Sequence, residues 1–482
     1  MHFWRVLRLV GFLILFLGLF MAAPFCVSLI SSDGSAPALF SSMLITCAAG
    51  GLLIASSRKD REPHLSHRDG VAIVAIGWLA AGLFGALPFM LTDCIGSFTD
   101  ACFESVSGFT TTGASILRNI EGLPDSVLLW RSIVQWLGGM GIIVLSVAIL
   151  PFLGVGGMQL YKAEIPSPVV DKLKPRISDA ARALWKVYIL FTALEIVLLF
   201  AGGMSFFDAL NHAFCTMPTG GFSTKNASIA HYNSSYFDAV IVVFMLLSGI
   251  NFSLHYRLLR GEGKVFWKDD ECRIFLGLVG ILIVMVTLNL YGSVYDTLGK
   301  AFRHAAFQVS SLITTTGFVT ADYDQWPVFS QVLLILCMFL GGMAGSTGGG
   351  IKTMRLILLV KQAYQEVFRI IHPHAVTTVK LGARAVPPDV LASIWGFTSI
   401  SLAILAGSTV IMTALGLDLI SAFSSVASCT FNVGPGLGMV GPVQNYAGVP
   451  TPGKWVLIFC TLAGRLEFYT LIVLLIPEYW RK

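Results

Sequence analysis

The sequence predicts an all-α polytopic membrane protein: four helix–pore helix–helix repeats around a pore, preceded by two transmembrane helices. Three observations carry that expectation. Hydrophobic residues make up 55% of the 482 and charged residues only 12%, against about 25% charged in soluble domains, and the mean hydropathy is +0.77. A thirteen-residue frame that begins with Ala and ends with Gly recurs four times without a gap, as ACFESVSGFTTTG (101–113), ALNHAFCTMPTGG (209–221), AAFQVSSLITTTG (305–317) and AFSSVASCTFNVG (422–434). Basic residues, finally, gather in alternate loops.

Apolar runs able to span the bilayer as helices need about 20 residues. They fall at 7–29, 36–56, 70–92, 127–152, 185–203, 237–258, 273–292, 328–344, 390–414 and 454–476, ten crossings with the eighth interrupted. Arg5 and Arg8 before the first run mimic a secretory leader, but the run continues through Pro24 without a convincing cleavage site and reads as a retained anchor. Each later unit is an outgoing helix, a short returning helix, a turn and a second crossing. The expected divisions are 1–68 for the N-terminal pair and its loop, then repeats at 69–182, 183–272, 273–386 and 387–482. A second register supports the duplication: Leu137-Gly138-Gly139, Leu247-Ser248-Gly249, Leu340-Gly341-Gly342 and Leu462-Ala463-Gly464, small residues that let helices approach closely.

Charge orients the units. Arg58, Lys59, Arg61 and Arg68 form one basic cluster, Lys162 to Lys186 a second, Arg257 to Arg273 a third, and Lys352 to Arg384 a fourth, with Arg481 and Lys482 at the end. The positive-inside rule places these clusters and both termini in the cytoplasm. The net charge of +5 is therefore a matter of membrane orientation, and no nucleic-acid partner is expected. The nine cysteines sit largely in the frames and spans and read as small buried side chains rather than disulfides or metal ligands. No acid–base or nucleophile constellation supports an enzyme.

A Thr-rich turn at membrane depth must be buried in protein or line water. Lining a pore, its carbonyl oxygens replace part of an ion's hydration shell. The short helix before it runs inward and ends on its partly negative terminus, which favours a cation. The lining residues are then Thr111, Thr112 and Gly113; Thr219, Gly220 and Gly221; Thr315, Thr316 and Gly317; and Asn432, Val433 and Gly434. There is no ring of carboxylates, so a monovalent cation fits better than a divalent one. Asp322 and Asp324 are placed to enrich cations outside the third turn or simply to be solvated; His212 reads as a packed residue.

Two features look like a gate. Gly345, Ser346, Thr347, Gly348, Gly349 and Gly350 interrupt the second crossing of the third repeat as a loop beneath the filter, or else as a kink. Arg465 puts a charge at the depth where the other copies carry Met140, Ile250 and Met343. It acts as a cation barrier or loop tether, or pairs with Glu104, Glu195 or Glu467.

The filter glycines, the Gly345–Gly350 loop and Arg465, taken in order, resemble the TrkH/TrkG membrane subunits of the bacterial Trk potassium-uptake system, within the wider Trk/Ktr/HKT superfamily. The resemblance covers essentially the whole chain. It implies four potassium-channel-like repeats that pass potassium ion as cargo with no organic cofactor, a homodimer with one pore per protomer, and a bacterial inner (cell) membrane location in contact with membrane lipid. It also implies a cytoplasmic TrkA-like nucleotide-binding regulatory subunit as partner. Matching the family's parts gives Gly113, Gly221, Gly317 and Gly434 as filter glycines, Gly345–Gly350 as gating loop and Arg465 as pore arginine. Phe431-Asn432-Val433-Gly434 departs from the Thr-rich strings and puts tight discrimination among alkali ions in doubt. Potassium symport with sodium or protons, and a non-conducting scaffold or sensor, are the alternative functions.

Overall fold

The computed structural model describes residues 3–56, 67–144, 177–375, 377–382 and 384–480. The basic residues Arg58, Lys59, Arg61, Lys162, Lys172, Lys174, Arg176, Arg481 and Lys482, and the end of the 127–152 span, lie outside them. The fold is helical; a two-residue antiparallel ladder, Lys380–Leu381 against Arg384–Ala385, holds the strands found among the described residues. Among the described residues, six helices are long and apolar enough to cross a membrane singly, so the chain is a multi-pass membrane protein.

The N-terminal pair is Phe3–Phe20 continued by Ala22–Ser31, and Ala36–Ser56. Gly11 and Gly50 face each other across it, each close to the other helix's backbone, and Gly18 meets Cys47. Without a hydrophobic drive between helices in lipid, such close backbone packing supplies the association.

Each repeat then follows the expected plan. Its outer helix is His67–Gly85 (extended by Leu87–Leu91), Ile177–Ala201, Asp270–Leu290 or Pro388–Ala414. Its pore helix is Phe98–Phe109, Phe206–Thr216, Leu298–Ile313 or Leu419–Thr430. Its inner helix is Asp125–Val144, Ser235–Gly249, Val328–Phe339 or Thr451–Arg465.

The inner helices differ from expectation in two repeats. The runs 237–258 and 454–476 are not straight spans: Ser235–Gly249 meets Phe252–Leu259 at 103°, and Thr451–Arg465 meets the helical segment Tyr469–Leu475 at 114°. Hydropathy continues across both breaks, so an apolar count alone cannot find them. Asn251 restarts the chain in the second repeat by accepting from Ser253 N at 2.9 Å, and Glu467 and Phe468 take left-handed φ of 57° and 49° in the fourth. The small-residue register also shifts by one. A Cβ on Gly138 would fall on the carbonyl of Phe109, yet in the fourth repeat Gly464, not Ala463, faces the matching Thr430 carbonyl.

Candidate functional site

The pore helices are short and each begins on a side-chain cap. Ser97, Ser205, Thr297 and Asp418 accept from the backbone N–H of Asp100, Asp208, Lys300 and Ser421, satisfying donors a helix start leaves open. The third pore helix has 16 residues against 12, 11 and 12, so its cap, Thr297, stands about one turn further ahead of its frame than the caps of the other three. We call the side from which these helices enter the outer side. Their opposite ends converge on the middle of the fold.

There the four turns share one unusual backbone. Thr111, Thr219, Thr315 and Asn432 have left-handed φ of 55°, 59°, 59° and 57°; two residues on, Gly113, Gly221, Gly317 and Gly434 have φ of 79°, 76°, 80° and 103°. Left-handed conformations cost a non-glycine L-residue roughly 1–2 kcal/mol, least for Asn. Four matched instances mean the surrounding structure imposes them. The glycines are fixed twice over. A Cβ on Gly113 would overlap Gly220 O, one on Gly221 Thr316 O, one on Gly317 Val433 O, and one on Gly434 Thr112 O. Each glycine thus packs on the carbonyl just before the next repeat's glycine, in the order first, second, third, fourth, first. The four turns close a ring around one axis.

Hydroxyls brace the ring from behind. Thr110 and Thr314 donate back to Val106 O and Ser310 O at 2.7 Å and meet Thr112 and Thr316 at 2.8 Å. Asn432 replaces that pair in the fourth turn: its Nδ2 donates to Thr112 Oγ1 at 2.9 Å and Thr461 O at 3.0 Å, stitching the fourth turn to the first. Gln135 straddles the second turn, donating to Gly220 O at 2.7 Å and accepting from Phe222 N at 3.1 Å.

On the outer side lies a vestibule lined by all four ring glycines together with Arg131, Lys225 and Gln444. Neither Asp322 nor Asp324 is among its lining residues. Instead Asp322 caps Tyr323–Gln325, and Asp324 accepts from Gly438 N at 3.3 Å. That contact ties the third repeat to the fourth, and the other neighbouring pairs are tied on this side as well. Arg131 donates to Ser223 O at 3.0 Å, Arg303 pairs with Asp238 at 2.6 Å, and Lys454 pairs with Asp100 at 2.6 Å. Arg131 is itself held by the buried Glu104 at 2.9 Å and lies over the Phe222 ring at 4.0 Å. His212 is packed as expected, with Nδ1 2.7 Å from Asp208 O and Nε2 3.0 Å from Ser223 Oγ.

On the inner side the glycine segment lies directly against the ring. Gly349 N donates to Thr315 Oγ1 at 2.6 Å and Gly350 N to Phe431 O at 2.9 Å; Thr347 Oγ1 donates to Met217 O at 2.9 Å. Gly345 O accepts from Phe252 N at 3.1 Å, Ser346 Oγ donates to Met343 O at 2.6 Å, and Lys352 Nζ donates to Gly348 O. The segment touches the ends of the second, third and fourth pore helices. Buried Glu271 anchors its flanks, accepting from Ala344 N at 3.0 Å and Met354 N at 3.1 Å.

Arg465 is buried and donates from Nη1 to Thr347 O at 3.0 Å. It forms no ion pair among the described residues. Glu104 is taken by Arg131, and Glu467 by Arg355 at 2.9 Å, whose guanidinium also covers Phe397 at 4.2 Å. Glu195 is fully buried, with no hydrogen-bond partner for either carboxylate oxygen among the described residues. The geometry thus brings together every residue that the sequence singled out for filter and gate. Gln135, Arg131 and Glu271 were not legible as parts of the site, because partners of theirs lie in other repeats or across the glycine segment.

The chain is similar over nearly its whole length to known proteins. The TrkH cation transport protein family model matches residues 35–482. The Trk system potassium uptake protein TrkH of Salmonella typhimurium is 44% identical over 490 residues, covering all of both chains. TrkG of Escherichia coli is 35% identical over 486 residues, covering 100% of this chain and 99% of its own. The crystal structure of the potassium transporter TrkH from Vibrio parahaemolyticus superposes with a TM-score of 0.92 at 40% identity, covering 100% of each chain. The chain belongs to the TrkH family of cation transport proteins.

Proposed function

We propose that the chain is a gated, potassium-selective conduit for potassium uptake. The observation that carries this reading is the closed ring of four left-handed turns at the converging ends of four pore helices. Such a ring offers backbone carbonyls in place of an ion's water, while the helix ends favour positive charge. No carboxylate is among the vestibule's lining residues, which suits a monovalent ion. The relatives named for potassium uptake at 35–44% identity over full length supply the ion. Thr111, Thr112, Gly113, Thr219, Gly220, Gly221, Thr315, Thr316, Gly317, Asn432, Val433 and Gly434 form the filter. Gly345–Gly350 is the obstruction beneath it, held shut by Arg465 through Thr347 O.

The chain works in the bacterial inner membrane with both termini cytoplasmic, as a homodimer whose opening a TrkA-like subunit regulates. The repeats run 69–182, 183–272, 273–386 and 387–482. The test is reconstitution in liposomes with potassium, rubidium, sodium and lithium gradients, alone and with the cytoplasmic partner. Flux of potassium and rubidium that needs no second gradient supports the conduit. Flux that stops without a sodium or proton gradient replaces it with symport, and no flux under either condition overturns it.

A further inference from the structure

The fourth turn departs from the other three at its glycine as well as at Asn432. In the first three repeats the carbonyl of Ser107, Cys215 or Ser311 accepts from two successive amides, the ring glycine and the residue before it: Thr112 and Gly113 at 2.9 and 3.5 Å, Gly220 and Gly221 at 2.8 and 3.3 Å, Thr316 and Gly317 at 2.8 and 3.3 Å. In the fourth, Ser428 O accepts from Val433 N at 2.9 Å, and no bond from Gly434 N joins it among the described residues. Gly434 itself stands at φ 103°, away from the 76–80° of the other three. The sequence reason is Pro435. Ala114, Phe222 and Phe318 follow the other glycines, whereas the Gly434 carbonyl belongs to a peptide bond with proline, which restricts the residue before it.

That carbonyl is doubly held from the protein side. Ser428 Oγ, on the pore helix, donates to Gly434 O at 2.6 Å, and Tyr446 OH donates to it at 2.7 Å. A carbonyl oxygen has two acceptor sites, and both are taken. In the third repeat the equivalent hydroxyl, Ser311 Oγ, goes one residue further, to Phe318 O at 2.7 Å. Gly113, Gly221 and Gly317 have no such donor on their carbonyls among the described residues. The Tyr446 side chain is held in place by its surroundings. It is buried, its ring lies 5.5 Å from that of Phe103, and its amide donates to Ser115 O at 2.8 Å.

We infer that Ser428 and Tyr446 withdraw the Gly434 carbonyl from the conduction path, so that the outermost ion position is built from three carbonyls. An ion there keeps more of its water and is held more weakly, which sets the affinity for entry and lowers discrimination at that level. This rests on the filter reading above. Tyr446 and Ser428 are specificity-determining residues that touch no ion.

The test uses the full chain with Tyr446→Phe, the double variant Ser428→Ala/Tyr446→Phe, and Gly113→Ser as a filter control. Each is titrated with rubidium and with sodium by calorimetry in detergent, and their flux ratios are measured in liposomes. The double variant frees the carbonyl, and rubidium binding is expected to tighten about tenfold, one step of the affinity scale, with a larger preference over sodium. Tyr446→Phe frees one acceptor site, keeps the ring, and should shift both readouts in the same direction by less; it decides the matter alone if the double variant does not fold. Wild-type affinity and preference in the folded Ser428/Tyr446 variants, with preference lost in Gly113→Ser, overturns the inference and leaves the filter standing. Wild-type behaviour in all three overturns both.

Discussion

Replacing Arg465 by alanine tests the gate most directly. The side chain is buried and its Nη1 donates to Thr347 O at 3.0 Å, inside the glycine segment that lies against the ring. Hydrogen bonds to charged groups contribute about 1.5–3 kcal/mol net. Removing one shifts the balance between the seated and displaced segment by roughly 10- to 150-fold. The bonds from Gly349 N to Thr315 Oγ1 and from Gly350 N to Phe431 O remain, so the segment is loosened, not lost. Basal rubidium uptake into liposomes should rise by about tenfold or more if displacement of the segment limits flux. Arg465→Lys separates the two actions of the residue: it keeps the positive charge and forfeits the planar, multiply donating guanidinium. Flux near wild type in the lysine variant assigns the barrier to charge, and flux near the alanine level assigns it to the tether. Folded Arg465→Ala protein with wild-type basal flux would refute both.

Gly317→Ala places a Cβ on Val433 O at a residue with φ of 80°; potassium-over-sodium flux should fall about tenfold with membrane insertion intact, and an unchanged ratio would remove Gly317 from the filter. Asn432→Ala deletes the bonds to Thr112 Oγ1 and Thr461 O and should likewise weaken discrimination, checked by the same ratio. Glu104→Gln keeps the shape but strips the charge from the partner of buried Arg131. Loss of one member of a buried pair costs about 3–5 kcal/mol, so the thermal midpoint in detergent should drop well below that of the parent.

The parts legible in the sequence are those where backbone geometry leaves a single residue type. Gly113, Gly221, Gly317 and Gly434 stand out because the ring excludes a Cβ and requires positive φ, and the thirteen-residue length of their frames is the same in all four repeats. The hinges at Gly249 and Arg465 were hidden because Ile250–Leu259 and Leu466–Leu475 extend the apolar runs without a proline. Pairings such as Glu104–Arg131 and Gln135–Gly220 O were hidden for a different reason. They join residues 27 and 85 positions apart, and only the folded ring decides which polar groups meet. The one-residue shift that sets Gly464 where Gly138 stands belongs to the same class, since a helix rotates about 100° per residue and a motif match cannot see rotation.

The glycine segment occurs in one repeat, and the lone guanidinium that grips it in another. An assembly of four identical chains could not be built that way. Whatever one subunit thrust onto the axis, its three copies would thrust there too, and four plugs would compete for a space that admits one. Four buried guanidiniums around the same axis would also repel one another. Fusing the quarters into a single polypeptide removes that constraint: each quarter can be edited alone, so the ring can keep its near-symmetric wall while the glycine segment and the arginine that holds it are each present in a single copy.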